Sequence, residues 1–126
     1  MKKIDNKIIE IASQALIDTN IVTNNQYQSE FGGYISSLGA AIIQSGLLPA
    51  MIFFENEDAE AKDRHKVIKT IIIIINNCRV GKNPKAIDTT IVRYILDNPN
   101  DSDLLREIID AATAMKLALR MYKKNK

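Results

Sequence analysis

From Phe31 to Phe54 the chain carries no charged side chain, and residues 34–54 read YISSLGAAIIQSGLLPAMIFF. An apolar run of this length is nearly enough to cross a bilayer as one helix. The order of residues within it points elsewhere. Gln44, Ser45, Gly46 and Pro49 fall mid-run, where lipid would leave backbone hydrogen-bonding groups unmatched. Ser45-Gly46 ends one helix, and Pro49 falls in the first turn of the next, where its missing N–H costs nothing. The segment therefore predicts two helices meeting at a tight corner. One covers 27–44, with Tyr27, Phe31, Tyr34, Ile35, Leu38, Ala41 and Ile42 at three- and four-residue spacing; a short one covers 47–55. Gly32, Gly33 and Gly39 each weaken the first by roughly 1 kcal/mol relative to Ala, a cost that a closely passing backbone would explain.

The other segments read as helices too. Ile4, Ile8, Ile11, Ala12, Ala15 and Leu16 lie on one face of a helix over 4–19, with Lys7, Glu10, Gln14 and Asp18 opposite. Thr23-Asn24-Asn25 is a loop and cap before the second helix. The run TIIIIINN in 60–78 favours a strand locally, but no second strand-like segment exists to pair with it, and a lone strand is unstable. As a helix it puts Ile68, Ile71, Ile72 and Ile75 in one apolar stripe and Lys62, Lys66, Lys69, Asn76 and Asn77 opposite, with Ile73 among them as an exposed exception or a contact. Gly81 ends this helix, Asn83 caps the next, and Pro84 takes its first position; Ile87, Ile91, Tyr94 and Ile95 face inward. Asn98-Pro99-Asn100-Asp101 breaks it. Asp101 or Ser102 then caps a last helix that turns Leu104, Leu105, Ile108, Ala112, Met115, Leu119 and Tyr122 to the core. With 126 residues and only 6% aromatics, the expectation is an all-α, bundle-like single domain of about six helices over 1–126, its core mainly Ile, Leu and Ala.

Catalytic and metal chemistry find little support. His65, the sole histidine, reads as an exposed helical residue with no further ligands nearby in sequence. Cys78 is alone, so neither a disulfide nor a cysteine metal site can form, and it reads as a small buried hydrophobe in a reducing, cytoplasmic setting. At the N-terminus Asp5, Lys7 and Glu10 interrupt the apolar residues, so no signal-peptide core develops. GKNPK lacks the glycines and the Lys-Ser/Thr pair of a phosphate loop. Nothing assembles a nucleophile, base and oxyanion site, so neither an enzyme nor a cofactor is expected.

Charge is segregated instead. No acid lies between Arg64 and Ile87, nor after Asp110. Lys62, Lys66 and Lys69 share a helix face at i, i+4 and i+7. Lys116, Arg120 and Lys123 repeat that spacing on the last helix. Arg79, Lys82 and Lys85 occupy a turn from which flexible side chains reach a phosphate backbone. Such contacts position a nucleic acid without reading its bases, and Tyr27, Tyr34, Tyr94 and Tyr122 all fit core or semi-core positions rather than stacking platforms. Solvated surface charge accounts for any single lysine equally well, and a helical adaptor that binds protein without RNA stands as the alternative.

The charge-free stretch also resembles a known family. Tyr27 through Phe54, with Leu38, Ala40, Ala41, Ile42, Gln44, Gly46, Leu47, Ala50 and Phe53 or Phe54 in comparable places, is similar to the pattern P-A-L-I-x-x-N-G-L-x-x-A-L-A-F. That pattern belongs to the small helical subunit of type III-B CRISPR RNA-targeting (Cmr) effector complexes; the small subunit of type III-A complexes would share nearly all these features. Length, helix pattern and the basic ending Leu119-Arg-Met-Tyr-Lys-Lys124 agree with it. Gly39 stands where the family tends to have Pro, Ser45 where Asn is common, Ser36 and Ser37 where basic residues are frequent, and Ala118 near a frequent Trp. The resemblance implies a non-catalytic subunit in antiviral defence, with no membrane contact. It would stack with copies of itself along the inner filament, beside the backbone subunits that hold the guide RNA, and bridge toward the large subunit while RNA cleavage belongs to other subunits. On that reading the contacts to guide and target RNA fall to Lys62, Lys66, Lys69, Arg79, Lys82, Lys85, Arg120 and Lys123.

Overall fold

The structure, a computed structural model, describes residues 5–57, 63–81 and 86–125. The isoleucine run lies in a helix, α4 (Arg64–Cys78), enclosed by α1 (Asn6–Asp18), α2 (Ser29–Ser45), α3 (Leu47–Glu55) and α6 (Leu104–Leu119), while α5 (Ile91–Asp97) packs on α3. Val67, Ile68, Ile71, Ile74 and Ile75 are buried, and full burial of each such side chain contributes roughly 1.5–3 kcal/mol. The stripe differs from the expected one: Ile74 belongs to it, while Ile72 and Ile73 are half-buried against the core. Neighbours on several sides widen the covered arc, which also takes in Thr70. Its hydroxyl donates to the Lys66 carbonyl oxygen at 2.8 Å and lies 2.8 Å from Thr19 Oγ1. Tertiary packing thus overrides the strand preference of the isoleucines. Among the described residues no helix is long and apolar enough to cross a membrane.

The corner in the charge-free stretch is as expected. Gly46 has φ +91°, which a side chain rarely adopts, and its N–H donates to the Ile42 carbonyl at 2.9 Å to close α2. α1 ends in a Schellman motif with Asn20 left-handed: Asn20 N–H donates to Ile17 O and Ile21 N–H to Leu16 O, each at 3.0 Å.

Elsewhere the elements start later than their sequence signals. Thr23-Asn24-Asn25 is not a helix cap. Strands β1 (Val22–Thr23) and β2 (Gln26–Gln28) form an antiparallel hairpin across Asn24 and Asn25, both at positive φ, as a two-residue hairpin loop demands. Tyr27 is therefore in a strand and α2 begins at Ser29. β3 (Lys123–Asn125) adds parallel to β2, completing a small sheet in the order β1-β2-β3. The fifth helix begins at Ile91. Thr90 caps it, accepting from Arg93 N–H at 3.2 Å, and the Glu55 carboxylate accepts from the Ile91 and Val92 N–H groups at 2.6 and 3.1 Å. Asn83 and Pro84, the expected start, lie outside the described residues, as does the start at residue 60 expected for the fourth helix. Ile87 is held as a strand pair would hold it, exchanging two hydrogen bonds of 2.8 and 2.7 Å with the Asn76 side-chain amide. The last helix begins at Leu104, after Asp103 rather than Asp101 or Ser102; Asp101 accepts instead from the Asp103 N–H, and Leu105 turns outward.

Candidate nucleic-acid interface

The basic residues fall into three settings. In the first, Arg79 is 4% exposed at the end of α4. Its guanidinium binds Glu107 through two nitrogens, at 2.9 and 2.6 Å, Asp101 Oδ2 at 3.0 Å and Tyr94 Oη at 2.9 Å. Tyr94 Oη in turn donates to Asp101 Oδ2 at 2.5 Å. The hydrogen bonds to Glu107 hold the Arg79 pKa well above its usual value, against the opposing effect of burial. Burial acts to raise the Asp101 pKa, but hydrogen bonds from Tyr94 and Arg79 outweigh it and hold the carboxyl below its ordinary value. Tyr94 is shifted up, by burial and by its bond to Asp101. The expectation that Arg79 reaches from a turn to RNA is corrected: a buried guanidinium is kept by its two acids and ties α4, α5 and α6 together. The partners lie 22 and 28 residues away in sequence.

The second setting is the exposed flank of α4. Lys66 Nζ lies 3.6 Å from Asp63 and Lys69 Nζ 3.4 Å from Glu57. Exposed pairs of this kind are worth about 0–1 kcal/mol, so a phosphate competes for these ammonium groups at small cost. His65, expected to be exposed, is half-buried with Nε2 at 3.9 Å from Glu57. Arg64, on the same turn, stacks its guanidinium 3.9 Å from the Phe53 ring centroid. Cys78 is half-buried, and among the described residues no group of three His, Cys, Asp or Glu could hold a metal ion. Lys62, Lys82 and Lys85 lie outside the described residues.

The third setting is the C-terminal end. α6 stops at Leu119, so the helical spacing expected for Lys116, Arg120 and Lys123 does not extend to Lys123, which stands on β3 beside Gln26. Lys116, Arg120, Lys123 and Lys124 are exposed, and no described acid pairs with them. Tyr122, half-buried, hydrogen-bonds Ser13 on α1 through its hydroxyl and so anchors this end. Free cations therefore concentrate where α6 gives way to the sheet.

A different surface is uncharged. Along α2 only Phe31, Ile35 and Leu38 are buried, while Gly33, Ser36, Ser37, Gly39, Ala40 and Ile43 face out, Ile43 at 87% exposure. A Cβ added at Gly32, Gly33 or Gly39 would meet nothing within 4 Å. The expected close backbone is thus not within the described chain. Beside this face a shallow apolar groove of about 200 Å³ runs between α2 and α6, lined by Ile35, Gly39, Ile42, Ile109, Ala112 and Lys116 among others.

The family model described as CRISPR-associated protein (Cas_Cmr5) matches residues 8–121. The chain belongs to the Cas_Cmr5 family. In the comparisons with curated proteins and with solved structures, nothing matches. The matched region runs from the first helix through the last and includes the whole charge-free stretch. β3, with Lys123 and Lys124, lies just beyond the matched region of this Cas_Cmr5 chain, while Lys116 and Arg120 lie within it. The sequence signal for the hairpin is Asn24-Asn25, two residues that tolerate positive φ in a two-residue loop.

Proposed function

We propose that the chain is the non-catalytic small subunit of a type III-B CRISPR effector complex in antiviral defence. It stacks with copies of itself in the inner filament, beside the backbone and large subunits. Its basic residues touch the guide and target RNA. The observation that carries this reading is the family match over residues 8–121, joined to a surface whose free cations and uncharged face are separated. The α2 face offers no cation to a phosphate, and its small side chains admit a close protein backbone, so it is assigned to subunit contacts. The RNA-facing set is Lys62, Lys66, Lys69, Lys82, Lys85, Arg120 and Lys123, with Arg79 removed because its charge is spent on Glu107 and Asp101.

The test is the salt dependence of RNA affinity for the assembled complex with Lys69→Glu, Arg120→Glu and Lys123→Glu combined in this subunit. Each lost phosphate contact flattens the slope of log K against log salt by about 0.7–0.9. A slope shallower by about two is the expected result. Full affinity with an unchanged slope overturns the assignment.

A further inference from the structure

Between the small sheet and the start of α4 lies a polar cavity of about 360 Å³. The residues lining it include Asn20, Thr23, Gln26, Gln28 and Asn125, with Lys66 and Asp63 at the α4 side. Strand register decides which of these share a face. Thr23 pairs with Gln26, Gln26 with Lys123, and Gln28 with Asn125. Paired residues project to the same side and next-but-one residues repeat it. Thr23, Gln26, Gln28, Lys123 and Asn125 therefore stand on one sheet face, so a free ammonium rises beside a row of amides. Asn125 Nδ2 donates to Gln26 Oε1 at 2.5 Å, which holds that pair in a set orientation and leaves the Gln26 amide donor and the Asn125 acceptor to a guest. The side-chain amides of Asn20 and Gln28 make no hydrogen bond within the described chain.

We propose that this cavity takes the base of one unstacked RNA nucleotide, with its phosphate on Lys123. The inference rests on the RNA-contacting function above and adds base readout to it. Two features select this ligand class. Amide side chains present a donor and an acceptor together, the arrangement that reads base edges. The neighbouring cation is unpaired, whereas Lys66 within the cavity is balanced by Asp63, which suits a neutral base inside and an anionic phosphate at the mouth. The volume fits a nucleotide, falling in the range of about 300–1,000 Å³ usual for small-ligand sites.

The experiment titrates the full chain with rA6, rU6 and rC6, following side-chain amide resonances by NMR, and measures RNA affinity of the assembled complex. Gln28→Leu is the probe, because that side chain is exposed and bonds to nothing among the described residues. Thr23→Val, on the same sheet face, is the second. Expected are shifts at the Gln26, Gln28 and Asn125 amides, a preference among the three oligonucleotides, and a loss of that preference by about five-fold or more in Gln28→Leu. Equal affinity for all three, or a preference untouched by both variants, overturns the cavity. If the triple charge reversal still flattens the salt slope of the complex, only the cavity has failed. If it does not, the RNA-contact reading has failed with it.

Discussion

α4 and α2 are both rich in apolar residues, and they end in opposite situations. α4 carries charged and polar residues along its length, yet buries six side chains and sits among four other helices. α2 has no charge after Glu30, yet buries only three. Burial follows position in the fold rather than hydropathy. A helix surrounded on several sides covers a wide arc; a helix at the edge covers one strip and shows the rest to solvent. α2 makes this tolerable by size: Gly33, Ser36, Ser37, Gly39 and Ala40 expose little apolar area, leaving Ile43 as the large exception. The proposed function assigns this face to subunit contacts.

The comparison breaks first at the buried end of α4. Arg79→Ala leaves Asp101 and Glu107 uncompensated and is expected to destabilise by about 3–5 kcal/mol, read from chemical unfolding. A change below about 1 kcal/mol would show the cluster to be surface-like. Ile74→Ala opens a cavity on the enclosed side of α4 and should cost about 2–5 kcal/mol. Ile43→Ala on α2 serves as its control, within about 0.5 kcal/mol of the parent.

Acid should act through the same cluster. The folded Asp101 carboxyl titrates below its ordinary value of 3.8. The unfolded state therefore binds more protons in that range, and stability rises with pH there. The contribution is complete above the ordinary value and is lost as pH falls through the folded one. Unfolding free energies of the parent and Asp101→Asn should differ near neutrality and converge in acid; a constant difference at every pH would contradict this.

How much of this was legible depended on the distance between cause and effect. The Gly46–Pro49 corner and the helix at Leu47–Glu55 were readable because Gly and Pro constrain their own backbone. The helical isoleucine run was readable by elimination, since no partner strand accompanied it. Arg79 was not, because the acids that capture it arrive from another helix and the loop before it. The sheet was missed because its strands are two or three residues long and β3 pairs with a strand from the other end of the chain. At the fifth helix Pro84 was a local signal, but Thr90 and the distant Glu55 set the start at Ile91. For the candidate interface, the lysines were legible and their partners were not, so paired α4 cations could not be told from free ones near β3.

A smaller effect sharpens the contrast. Gly39→Ala adds a methyl to open space in a helix and should stabilise the isolated chain by about 0.5–1 kcal/mol. Thermal unfolding checks this; destabilisation would mean that α2 is already closely covered in the free chain.

The most direct measurement pairs two readouts on Ile43→Asp: thermal unfolding of the isolated chain and its co-purification with the remaining subunits of the effector complex. The account predicts an unfolding midpoint unchanged within about 0.5 kcal/mol of stability and loss of the subunit from the complex. A large fall in the midpoint would make this face part of the core, and full incorporation would make it plain surface; either contradicts the assignment.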